Sequence, residues 1–132
     1  MRVGLVGCGK RKAARPLPAR DLYTGTLFKL ARRYAERKCD LWFVLSAKHG
    51  VVAPTRVIAP YETSMASLTK EERKAWGERA SEVLKSYPDA VFVFLAGNDY
   101  ALAIEGLRAN RPLDGLGIGR RMAWLKKELQ KR

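Results

Sequence analysis

Three short runs of β-favouring apolar residues constrain this chain most: RVGLVG at 2–7, DLWFVLS at 40–46 and AVFVFLA at 90–96. Each is nearly continuous in apolar character, the pattern of a strand covered on both faces. Between them the spacing becomes helical. Residues 24–38, TGTLFKLARRYAERK, set Leu27, Phe28, Leu30, Ala31 and Tyr34 along one helical face. TKEE at 69–72 is a capping box, with Thr69 as N-cap and Glu72 reaching back, and predicts a helix through Trp76 and Val83 to about Ser86. GND at 97–99 opens another helix through Tyr100, Leu102, Ile104 and Leu107. After a loop holding Pro112 and Gly115, a final amphipathic helix carries Met122, Trp124, Leu125 and Leu129. Strands alternating with helices predict an α/β fold, with a short, mainly parallel sheet of about three core strands between helices. At 132 residues, the expectation is one small three-layer domain spanning 1–132.

Charge narrows the partners. Lys and Arg number 26 against 13 Asp and Glu, a formal net charge of +13. Residues 1–20 hold Arg2, Lys10, Arg11, Lys12, Arg15 and Arg20 with no acid, and residues 108–132 are also strongly basic. Such clustering favours a polyanionic partner, a nucleic acid or a nucleotide phosphate, over the alternative of a solubilising surface charge. No helix pairs a basic face with a bulky apolar one, and no apolar run approaches the ~20 residues of a bilayer span, so no membrane partner is expected. MRVGLVGCGK turns basic too soon for a signal peptide, which predicts a cytoplasmic protein. Cys8 and Cys39 form neither a disulfide framework nor a CxxC knuckle. Cys39 reads as a small buried filler. Cys8, in a basic loop, is a candidate thiolate.

All three strands end in polar, chemically capable sequence: GCGKRK, SAKHG and GNDY. Parallel pairing would gather Cys8, Lys10, Ser46, Lys48, His49, Asn98, Asp99 and Tyr100 at one rim, where ligands of open α/β sheets bind. GCGKRK has glycines that let a backbone approach an anion, but it lacks the spacing of a P-loop, which excludes nucleoside-triphosphate hydrolysis of that type. Lys10 is either a phosphate contact or a solvated loop lysine. His49 is either a base or hydrogen-bond donor, or a turn histidine satisfying backbone carbonyls. It has no ligand spacing around it for zinc, so no metal is expected. Residues 48–67 read as a long irregular segment of the kind that carries function. Within it PYETSM places Tyr61, which could stack on a base, and Glu62. Glu62 and Asp99 are the carboxylates nearest the presumed cleft. One of them could orient water or oppose an oxocarbenium-like centre while His49 or Asn98 steadies a departing base. GLGIGRR at 115–121 offers either a phosphate approach to a helix N-terminus or a plain tight loop.

The segments LVGCGKRK, DLYTGTLFKLARRYAE, FVLSAKHGVVAPTRVIAPYETSM and GLGIGRRMAWL resemble the small YaaA-like proteins of bacteria and phages, distant relatives of the peroxide-stress protein YaaA. The likeness spans most of the chain, and SAKHG…PYE and GIGRR…WL carry most of it. It implies association with nucleic acid, DNA before RNA, a tie to oxidative damage and a suggested kinship to base-processing proteins. By position it marks Cys8, Lys10, Tyr23, Lys48, His49, Pro60, Tyr61 and Arg120. The combined expectation is a nucleic-acid- or nucleotide-binding protein acting on a base or N-glycosidic bond, in the manner of a DNA glycosylase. In it Lys10, Lys48 and Arg120 hold phosphate, Tyr61 and Tyr100 flank the base, and no cofactor is needed. The alternatives are a non-catalytic DNA-binding module and a peroxide-responsive Cys8.

Overall fold

A computed structural model describes residues 1–104 and 106–131. Strand β1 (Arg2–Gly7) lies at the centre of the main sheet. A short β2 (Leu17–Pro18) leads into the single turn α1 (Ala19–Leu22) and the long helix α2 (Thr26–Lys38). Strand β3 (Leu41–Ser46) follows, then β4 (Gly50–Val52), β5 (Val57–Ile58) and a 3₁₀ turn at Met65–Ser67. Helix α3 (Lys70–Leu84), β6 (Val91–Leu95), α4 (Asn98–Ala103), β7 (Ala109–Asn110) and α5 (Ile118–Gln130) complete the chain.

The main sheet has the order β4-β3-β1-β6-β7, and β2 pairs with β5 in a separate two-stranded ribbon. The contacts β1–β3, β1–β6 and β6–β7 are parallel, while β4 returns antiparallel on β3. The fold is therefore mixed α/β with a mainly parallel sheet. Its five strands exceed the expected three, because β4 and β7 are edge strands too short to register as apolar runs.

Alternation along β1 assigns the layers. Val6 joins the cluster with Ala31, Tyr34 and Leu125 of α2 and α5, whereas Val3 and Leu5 join Trp76, Ala80 and Leu84 of α3. Helices thus cover both faces, which explains the uninterrupted apolar runs. Close packing of α2 on β1 requires Gly4, where a Cβ would stand 3.0 Å from the Ala35 Cβ and 3.3 Å from the Cys39 sulfur. Thr69 and Glu72 form the capping box read from the sequence, at 3.1 and 2.8 Å.

Two expectations need correction. The 48–67 segment is not structureless: Ser46 pairs with Gly50, so Ala47-Lys48-His49 is the tip of a tight hairpin, closed by Gly50 at φ +78°. Helix α4 ends at Ala103 rather than Leu107, because the chain must turn back to lay Ala109 beside Phe92.

Candidate functional site

Strand order locates the site. From β1 the chain moves outward to β3, then crosses back over β1 to build β6 on its other side. The carboxyl ends of β1 and β6 flank this reversal, the place where open parallel sheets leave a crevice for ligands. Gly7 lets the two strand ends pack closely at its base: a Cβ there would lie 2.9 Å from the Ala96 Cβ. The Cys8 amide then donates to the Leu45 carbonyl at 2.9 Å, holding the start of the basic loop over the sheet edge.

A crevice of about 670 Å³ opens here. Leu27, Phe28, Leu113 and Met122 supply apolar walls, and Lys10, Arg11 and Arg121 supply positive charge. Among the described lining residues there is no carboxylate. Both long helices of this face begin at its edge. Helix α2 starts from Gly25 and α5 from Gly117, each extended and each without a side chain capping the first amides. Those amides are orphans, and the helix dipole makes their surroundings favourable to an anion. The Arg121 guanidinium is positioned by its Nε, which donates to the Leu116 carbonyl at 2.7 Å. At the floor the Cys8 sulfur and Tyr100 hydroxyl meet at 2.8 Å. Burial, with Cys8 adding to it, raises the Tyr100 phenol far above its ordinary range, so it stays protonated.

Behind the crevice lies a second polar group. The Tyr61 hydroxyl is 2.6 Å from both the Tyr23 hydroxyl and Ser46 Oγ. Ser46 is fully buried; its Oγ accepts the His49 amide at 3.1 Å and its carbonyl accepts Trp76 Nε1 at 2.8 Å. Burial lifts Tyr23 to about 12 and pushes Tyr61 higher still. Lys12 Nζ sits 4.5 Å above the Tyr61 ring, and the His49 ring packs edge-on against it at 5.4 Å. These contacts tie the basic loop, the hairpin and the PYE segment together.

Of the residues expected at one rim, Cys8, Lys10 and Tyr100 line the crevice. Ser46, Tyr23 and Tyr61 are buried in the hydroxyl cluster instead, and with only 8% of their surfaces exposed neither Tyr61 nor Tyr100, whose ring packs edge-on against Trp76, offers an open face for stacking. Lys48 is exposed at the hairpin tip and does not line the crevice. His49 is half-buried beside it, and burial, then the charges of Arg56 and Lys48, lower its pKa. Asn98 and Asp99 are exposed on α4, and Asp99 lines a different groove of about 710 Å³ between α3 and α4. Glu62 is exposed outside the crevice. Arg120 is also exposed, and its neighbour Arg121 is the one turned inward. The sequence reading missed Arg11, Thr26, Phe28, Arg121 and Met122. The available signal was that both long helices of this face are preceded by glycine where Ser, Thr, Asp or Asn would cap.

Fold and crevice define a small α/β protein with a mainly parallel sheet and a cationic, apolar-walled cleft at its switch point. The chain belongs to the family of unknown function DUF6884, whose model matches residues 3–127. It is also 34% identical over 64 residues to the uncharacterized protein YfjM of Bacillus subtilis strain 168, a match covering 44% of this chain. The aligned part is 43% of that relative, so the chain spans less than half of its length and no activity of the whole carries over.

Proposed function

We propose that the protein binds a nucleotide, or a nucleotide unit of DNA, in the crevice between the ends of β1 and β6. One observation carries this reading. A carboxylate-free cleft combines uncapped helix starts at Gly25 and Gly117 with Lys10, Arg11 and Arg121, and sets them against apolar walls. A phosphate matches the first set; a flat base matches Phe28, Leu27 and Met122. The volume suits one nucleotide-sized ligand. The likeness of the SAKHG…PYE and GIGRR…WL segments to YaaA-like proteins points the same way.

Hydrolysis at a base or N-glycosidic bond is the finer half of the proposal. It needs a group that orients water or opposes positive charge on the sugar. Asp99 and Glu62 were expected in that role, and neither lines the crevice. The geometry therefore favours binding over turnover. Calorimetric titration with nucleoside monophosphates tests the binding half: wild type binds, and Lys10→Gln weakens binding about tenfold, equivalent to ~1.4 kcal/mol. Equal binding by both proteins, or none by either, contradicts it. Assay of free base released from a panel of damaged DNA tests the enzymatic half, which fails if no base is released by wild type.

A further inference from the structure

Helices α2 and α5 form a surface that the crevice alone does not explain. They run side by side in the same direction. Thr26 and Ile118, at their starts, both line the crevice. Midway, the Tyr34 and Trp124 rings pack at 5.2 Å, and near the far end Arg37 Nη1 donates to the Leu129 carbonyl at 2.6 Å. The outward faces carry Lys29 and Arg33 on α2, one turn apart, and Arg120 and Lys127 on α5, two turns apart. At 1.5 Å per residue those spacings are about 6 and 10 Å along the axes.

All four cations are exposed, and none has an ion-pair partner among the described residues. The nearby acids are already occupied: Glu36 is held by Arg32 at 3.1 Å and Glu128 by Lys131 at 3.2 Å. Uncompensated cations in two rows, both starting at an anion-favouring crevice, match a chain of phosphates rather than one.

We infer that the nucleotide in the crevice belongs to a single-stranded nucleic acid whose neighbouring phosphates run along the outer face of α2 and α5. This rests on the crevice reading above and adds its substrate class: a polymer, not a free nucleotide. A single strand is required because the crevice admits one base between apolar walls, and a paired base would first have to leave its stack. Each phosphate neutralised releases counterions, so the α2–α5 face contributes affinity that falls steeply with salt.

Two probes and two variants separate the claims. The probes are thymidine monophosphate, followed by calorimetry, and a labelled oligothymidylate longer than the ~20 Å of α2, followed by anisotropy across a salt series. One variant is the triple Lys29→Gln, Arg33→Gln and Lys127→Gln; the other combines Lys10→Gln with Gly25→Asp. Circular dichroism verifies that both variants fold. The triple variant is expected to bind the monophosphate as wild type does. Its log-affinity against log-salt slope for the oligonucleotide should flatten by about 0.7 per lost cation, roughly 2 in all. A wild-type slope in the triple variant overturns the inference and leaves the crevice reading standing. So does duplex DNA binding as tightly as the single strand. If the crevice variant binds both probes normally while the triple variant loses the oligonucleotide, the crevice reading is wrong and the continuous path falls with it.

Discussion

The Tyr61 hydroxyl stands between two other hydroxyls, at 2.6 Å from each, and none of the three oxygens reaches open solvent easily. Tyr61→Phe removes the shared group and leaves Tyr23 and Ser46 each short of a partner in a buried setting. It should cost ~1–3 kcal/mol in urea denaturation, and less when combined with Ser46→Ala, because both then remove the same interaction. A pH effect follows from the same burial. Tyr23 has its pKa raised from 10.0 to about 12, so its proton is held more tightly in the folded chain than in the unfolded one. That contribution is fully present below pH 10 and is lost as pH climbs towards 12, because the unfolded state ionises first. Wild-type stability should therefore fall more steeply across this window than that of Tyr23→Phe, measured by denaturant midpoints at each pH. The hydroxyl cluster could not be read from the sequence. Tyr23 and Tyr61 are 38 residues apart and lie in segments without periodicity, so nothing local marks them as partners. Side chains chosen as ligand contacts for their chemistry turn out to hold loops together.

At the scale of elements, the proposed binding rests on the uncapped helix starts at Gly25 and Gly117. Gly25 has φ −69° and ψ 150°, a backbone any residue adopts, and no atom lies within 4 Å of a Cβ placed there. Aspartate fits and would cap the α2 amides. Gly25→Asp should therefore raise stability by a few tenths of a kcal/mol. It should also sharply weaken nucleotide binding, by occupying the amides and adding negative charge to the crevice. Thermal melts and calorimetry together read this opposition; a variant that is stabilised and still binds normally argues against anion binding at α2. Gly77 is different. A Cβ there would collide with the Ala103 carbonyl oxygen, where the last residue of α4 packs directly on α3. Gly77→Ala should destabilise by at least ~1–3 kcal/mol, since one helix must move. The long elements were legible because each has a physical period: continuous apolar runs for the three core strands, helical spacing for α2 and α5, and a reciprocal cap for α3. The strands β2, β4, β5 and β7 have two or three residues each, too few for any period, and exist only through their partners.

At the scale of the molecule, the net charge of +13 and the strand order act together. Charge alone favours an anionic partner without indicating where it would sit. In the proposed reading the order β3-β1-β6 gives that location, because the reversal beside β1 coincides with the cationic crevice. No helix among the described residues is long and apolar enough to cross a membrane. The sequence correctly implied that the strand ends meet, and Val6 is level with both Val44 and Leu95. Cys8 and Lys10 of the first end and Tyr100 of the third line the crevice as expected, whereas other side chains of the second and third ends lie elsewhere. The third strand end feeds α4 over the opposite face, sending Asp99 towards α3, and the SAKHG end folds into a hairpin that buries Ser46. Which side of a sheet a residue leaves on depends on the next connection, and that is a tertiary property.

The most direct measurement is an amide chemical-shift titration of the protein with a nucleoside monophosphate. Binding at the switch point predicts the largest shifts at Gly9, Lys10, Thr26, Leu27, Ile118 and Gly119, saturating together with one affinity. Shifts confined to the Lys48–His49 hairpin or to the α3–α4 groove around Asp99, or an unchanged spectrum at saturating ligand, would contradict the account.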